Sequence, residues 1–104
     1  MTVSSAAART FGQRVRRERL RRELTLEDLG ALAEIHWTNI GRIERGQANP
    51  SLVTIVRLAV ALDLDPSELV NGLGGDHLPT RSHRLTARDF LRERAAREAG
   101  RSGE

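Results

Sequence analysis

From about residue 10 onward, apolar residues recur every three or four positions, the spacing of one face of an α-helix, in successive blocks separated by turn-forming residues. The first block is predicted from Thr10, as N-cap, to Glu23, with Phe11 and Val15 inward and arginines elsewhere. The second, TLEDLGALA, opens on Thr25, which forms a near capping box with Asp28 and leaves Leu26, Leu29, Leu32 and Ala33 for the buried side. After a turn of a few residues, the third block covers residues 36–46, HWTNIGRIERG, with Ile40 and Ile43 inward and Trp37, Thr38 and Arg42 outward. Gly46 stands where a helix C-terminus favours a left-handed residue.

Pro50 cannot extend that helix and biases Asn49 toward extended geometry, so Ser51 is expected to cap a fourth helix, SLVTIVRLAVAL. Leu52, Ile55, Val56, Ala59 and Leu62 make this block the most apolar, and it is expected to be the central strut of the core. Asp65 and Pro66 open a short fifth helix, with Leu69, Val70 and Leu73 completing the core. Gly72, Gly74 and Gly75 then break the pattern; without a nearby Lys-Ser or Lys-Thr pair they read as a linker, not a phosphate-binding loop. Residues 76–82 are expected to be irregular. Thr86 and Asp89 open a last helix, TARDFLRERAAREA, with a thin stripe of Ala87, Phe90, Leu91 and Ala95 and a helical pair Glu93–Arg97. That stripe is too narrow to fold alone, so the helix either packs on another surface, such as a second subunit or a partner protein, or frays. The expected organisation is all-α: an arm over residues 1–9, a five-helix domain over 10–73, and a tail over 74–104.

A length of 104 residues leaves room for one small domain and a tail. The absence of cysteine fits a reducing compartment, the longest apolar run is far too short to span a membrane, and the N-terminal residues lack the pattern of a signal peptide. A cytoplasmic protein with no membrane contact is therefore expected. All 17 basic residues are arginine and the net charge is +3, but the placement matters more: seven arginines lie between Arg9 and Arg22 against the single acid Glu18. Such a helix suits a polyanion, although a solvated helix face has the same composition. His77 and His83 stand far from His36 and no cysteine joins them, so neither a metal site nor a cofactor is expected. No nucleophile and base stand together, and the chain does not read as an enzyme.

An arginine-rich helix followed by two helices joined through a tight turn is the helix-turn-helix arrangement, whose second helix enters the DNA major groove. The run LTLEDLGALAEIHWTNIGRIERGQANPSLVTIVRLAVALDLDPSEL resembles the Xre family of regulators, typified by phage repressors and Cro, over about residues 10 to 73. Its most recognisable string is the segment from Ile43 to Leu52, IERG followed by NPSL. The resemblance implies a repressor-like five-helix fold that binds double-stranded operator DNA, usually as a homodimer. Carried over by position, Trp37, Thr38 and Arg42 are the candidate base contacts, with Arg42 suited to a bidentate contact with guanine. Thr38 could meet a thymine methyl or a phosphate. Trp37, where the family commonly has a small or polar residue, could stack on sugars and thymine methyls or lie over its own domain.

Arg14, His36, Asn39, Arg45, Gln47, Asn49 and Ser51 are the candidate backbone contacts; Asn39 could instead reach adenine, and His36 would also cap its helix. In the family the positions of Arg19 and Glu44 form a partly buried ion pair joining the first helix to the recognition helix. Three departures stand out. Leu26 replaces a usual glutamine, Glu34 replaces the turn glycine, and Glu18 takes a place where the family buries an aliphatic residue. Gly30 fits a close crossing of the two motif helices. The functional expectation is a sequence-specific transcription regulator; the other reading is an antitoxin-like or adaptor protein whose residues 76–104 bind a protein partner.

Overall fold

The structure, a computed structural model, describes residues 5–78 and 85–102 and is all-helical over them. α1 spans Ala6–Arg21, α2 Leu26–Ala33, α3 Trp37–Glu44, α4 Leu52–Ala61, α5 Ser67–Val70 and α6 Ala87–Ser102, with a short 3-10 turn at Gly75–His77. Among the described residues, no helix is long and apolar enough to cross a membrane.

Local chemistry sets most of the boundaries. Thr25 accepts the Asp28 amide at 2.9 Å while Asp28 accepts the Thr25 amide at 2.9 Å, a complete capping box at the head of α2. These bonds to Thr25 hold the Asp28 carboxyl below its usual range. Ser51 caps α4 by accepting the Thr54 amide at 3.1 Å. At the start of α5, the Ser67 amide donates to Asp65 at 2.8 Å.

α1 differs from the sequence expectation. It begins at Ala6, with Ser5 as the cap accepting the Ala8 amide at 3.0 Å, and not at Thr10. Ala8 is buried, so residues 5–9 belong to the domain and are not an arm. A capping serine followed by three alanines was sufficient signal for an earlier start. The domain also reaches past residue 73, because the Gly75–His77 turn packs on α1. The expected irregular segment 76–82 lies partly outside the described residues, as does His83.

The core gathers Phe11 and Val15 of α1, Leu29 and Ala33 of α2, Ile40 and Ile43 of α3, Leu58 and Ala59 of α4, together with Leu62 and Leu69. α3 packs on both α1 and α2, while α4 packs on α2 and α5 on α1. Three expected core members are not inside. Leu32 is 58% exposed, because α2 turns Leu29 and Ala33 to the core and Leu32 points away. α4 is also rotated from the expected orientation: Leu58, Ala59 and Leu62 are buried, whereas Leu52 and Val56 join Val53 and Val60 in a stripe exposed by 40 to 74%. With apolar residues all round that helix, periodicity could not choose its inner face.

The packing depends on glycine where backbones meet. A Cβ on Gly12 would lie 2.1 Å from the Ile43 carbonyl oxygen, so α1 and α3 touch main chain to main chain. On Gly30 it would lie 2.7 Å from the Ile35 carbonyl oxygen, which accounts for a small residue at the crossing of α2 and α3.

Candidate nucleic-acid interface

α3 is held from one side and open on the other. Ile40, Gly41, Ile43 and Glu44 are buried; Trp37, Thr38, Asn39 and Arg42 are exposed. The helix is shorter than residues 36–46 because His36 acts as its N-cap and Gly46 lies beyond its end with φ of 74°. The Gly46 amide donates to Ile43 at 3.0 Å and the Gln47 amide to Arg42 at 2.9 Å, closing the C-terminus.

The inner side carries a bidentate ion pair. Arg19 Nε donates to one Glu44 oxygen at 2.7 Å and its Nη2 to the other at 3.0 Å, while Nη1 donates to the Leu24 carbonyl at 2.8 Å. The side chains are 10% and 5% exposed, and Glu44 in turn keeps Arg19 ionised by raising its pKa further. This bond joins α1, the end of the α1–α2 connection and α3 at one point.

Glu18, next to it, is buried without leaving its charge unanswered. Its carboxylate accepts from Arg22 at 2.8 Å, Arg21 at 3.0 Å and Arg17 at 3.3 Å. The Arg22 bond chiefly holds its pKa below the usual value, against the opposing effect of desolvation. A buried carboxylate, where the resemblance led one to expect an aliphatic side chain, is thus tolerated through three guanidinium partners, two from the same helix and one from its C-cap.

At the N-terminus of α3, His36 Nδ1 accepts the Thr38 amide at 3.2 Å and lies 2.6 Å from the Thr38 hydroxyl. An amide can only donate, so Nδ1 carries no proton, the Thr38 hydroxyl donates to it, and Nε2–H is free to donate elsewhere. The His36 and Trp37 rings stack with centroids 5.9 Å apart, leaving Trp37 45% exposed. The preceding turn is left-handed at Glu34, with φ of 57° and ψ of 44°, the geometry that suits a glycine, as the resemblance led one to expect there. Arg57 of α4 braces it by donating to the Glu34 carbonyl at 3.3 Å.

Beyond α3, an open groove of about 290 Å³ is lined by Asn39 and Arg42 from the helix, by Asn49, Pro50 and Ser51 from the approach to α4 and by Thr54 in its first turn. Arg42 donates to the Gln47 carbonyl and Arg45 to the Gln47 side chain, each at 3.3 Å. His36, Trp37, Thr38, Asn39, Arg42, Arg45, Gln47, Asn49 and Ser51 therefore sit on α3 or on the segment leading from it. Arg14 is not drawn into this group: it donates to the Leu69 carbonyl at 3.2 Å, tying α1 to the end of α5. Ser51 spends its hydroxyl on Thr54, whose amide and hydroxyl both lie 3.1 Å away.

Sequence reasoning missed Arg57 and Gly12. Arg57 is the one charged residue of α4, whose other residues are apolar apart from Thr54, a weak cue. Gly12 offered a better one, since a glycine inside a helix costs about 1 kcal/mol relative to alanine and calls for a packing reason.

A family model described as a helix-turn-helix domain matches residues 10–71 of the chain. The control protein C.BamHI of Bacillus amyloliquefaciens is 39% identical over 62 residues, 59% of this chain and 76% of that protein. Among solved structures, the restriction-modification controller protein C.AhdI from Aeromonas hydrophila shares 45% identity with a TM-score of 0.59, over 60% of this chain and 94% of its own. The P22 c2 repressor, solved with a synthetic operator, shares 26% identity with a TM-score of 0.56, again over 60% of this chain and 94% of its own.

Proposed function

Since the chain belongs to the helix-turn-helix domain family, as a DNA-binding transcription regulator of the Xre type and not an enzyme, we propose that α3 reads the major groove of a two-fold symmetric operator. The observation that carries this reading is the division of α3 into a buried side and an exposed side whose residues continue into the Asn39, Arg42, Asn49 and Ser51 groove. Trp37, Thr38 and Arg42 make the base contacts. With its hydroxyl proton given to His36, Thr38 offers its methyl group to a thymine; Arg42 exchanges its weak bond to Gln47 for a guanine edge. His36, Asn39, Arg45, Gln47, Asn49 and Ser51 contact the backbone, His36 through Nε2–H and Ser51 at the head of α4, where helix amides favour a phosphate. Arg14 holds the Leu69 carbonyl through one nitrogen and offers its other guanidinium donors to a phosphate.

Two copies act together, in the cytoplasm. The α4 stripe of Leu52, Val53, Val56 and Val60 supports this, because it is an apolar surface of a kind a second copy would cover. A protein partner acting through residues 76–104 is the second reading, favoured by the exposed Leu85 just before α6 and Leu91 within it.

Selection of bound duplexes from a random pool tests the first reading. It should recover half-sites about one helical turn apart, with affinity falling as salt rises. In Arg42→Ala, one position per half-site should relax, at a cost of about 1–3 kcal/mol. Equal affinity for operator and scrambled duplex would overturn it.

A further inference from the structure

α6 offers a second surface suited to DNA. Its residues Phe90, Arg94, Arg97 and Arg101 are spaced by four, three and four positions, which places them within about 60° of arc on one side of the helix. They line a shallow concavity of about 260 Å³ with Glu98, which offsets part of the charge. Arg94 lies 5.7 Å from the centroid of the Phe90 ring, so the aromatic group supports a guanidinium while remaining 47% exposed. From Arg94 to Arg101 the helix rises about 10 Å. The rest of the helix is poor in large apolar groups: Leu91 lies to one side of the stripe, and the opposite side carries Arg88 and Arg92 with the small Ala96 and Ala99.

We propose that this stripe binds the phosphates of duplex DNA flanking the operator, a clamp that adds affinity without reading sequence. It rests on the reading of α3 as the operator-reading helix. Charge complementarity chooses the partner. Three guanidinium groups in a row about 10 Å long match a duplex strand that presents a phosphate every 3.4 Å or so along its axis. A bilayer or a hydrophobic protein groove would instead need a broad apolar face, and here the large ring of that stripe already lies under a guanidinium. α6 also has no buried residue among its described side chains, so its position is not fixed by the core. Base reading requires fixed geometry; phosphate attraction requires only reach.

The test compares the full chain with Arg94→Gln/Arg97→Gln/Arg101→Gln, since glutamine keeps nearly the helix propensity of arginine. Both are titrated onto the selected operator, with and without about ten flanking base pairs on each side, over a range of salt. The variant should bind the flanked operator at least about tenfold more weakly near 0.1 M salt, with a salt slope shallower by roughly 2 to 3 per chain. Its preference for operator over scrambled duplex should stay unchanged, and removing the flanks should weaken the wild type while leaving the variant unaffected. An unchanged slope overturns the proposal, as does a loss of operator preference, which would make α6 part of sequence readout. Loss of binding to phosphatidylglycerol vesicles with an unchanged DNA slope would assign the stripe to a membrane instead. If the reading of α3 itself fails, the wild type too shows no preferred site, and the clamp falls with it.

Discussion

α3 has 8 residues and α6 has 16, yet the shorter helix is the one with a fixed place. Both begin with side-chain caps: His36 accepts the Thr38 amide, and Thr86 and Asp89 form a capping box at 3.1 and 3.3 Å. The difference lies in what each helix buries. α3 places Ile40, Ile43 and Glu44 inside the domain and meets the backbone of α1 at Gly12, while α6 turns Phe90 and Leu91 to solvent at 47% and 50% exposure. Capping and length decide whether a segment coils; packing decides where the coil points. A helix that reads bases needs both, and one that attracts phosphates needs only the first.

The sharpest way to break this contrast is to release α3 from α1. Glu44→Ala leaves the Arg19 guanidinium buried and its charge unanswered, with one donor still bonded to the Leu24 carbonyl, and a buried pair broken on one side loses about 3–5 kcal/mol. Chemical denaturation should register that loss, and the recovered protein should bind operator less well because α3 has lost its anchor. A change below about 1 kcal/mol would mean that the pair is solvated and that apolar contacts alone position the helix.

A smaller, opposite effect is expected at Glu34. This residue is exposed and holds a left-handed conformation that costs a side-chain-bearing residue about 1 kcal/mol, while the Arg57 bond goes to its main-chain carbonyl, which any residue there would keep. Glu34→Gly should therefore raise the melting temperature by a few degrees, reduced in part by the greater freedom of glycine in the unfolded chain. A drop would mean that the glutamate side chain helps hold the turn.

The sequence discloses features governed by near neighbours. The Thr25–Asp28 box, the Ser51 cap, the stop at Gly46 and the short α5 follow from residues within a few positions of one another. The Gly30 crossing and the outward side of α3 were legible through the resemblance, which supplied the fold. What stayed hidden depends on distant chain. Gly12 is explained by a carbonyl at Ile43, Arg14 by one at Leu69, Arg57 by one at Glu34, and the inner face of α4 by where α2 lies. None of these partners is within reach of a periodicity argument, so the candidate site was legible on α3 and illegible where α1 and α4 support it.

The smallest effect is expected at the head of α6. Thr86→Ala removes the hydroxyl that accepts the Asp89 amide, and loss of such a cap costs a helix about 1 kcal/mol. Because no described side chain of α6 is buried, this cost should stay within α6: helical circular dichroism should fall slightly, with no shift in the cooperative melting of the domain. A melting shift of several degrees would place α6 against the core in solution and remove the contrast with α3. An unchanged melt with a lower affinity for flanked operator would sharpen it, since a frayed α6 would present its arginines less regularly while leaving α3 and its choice of bases untouched.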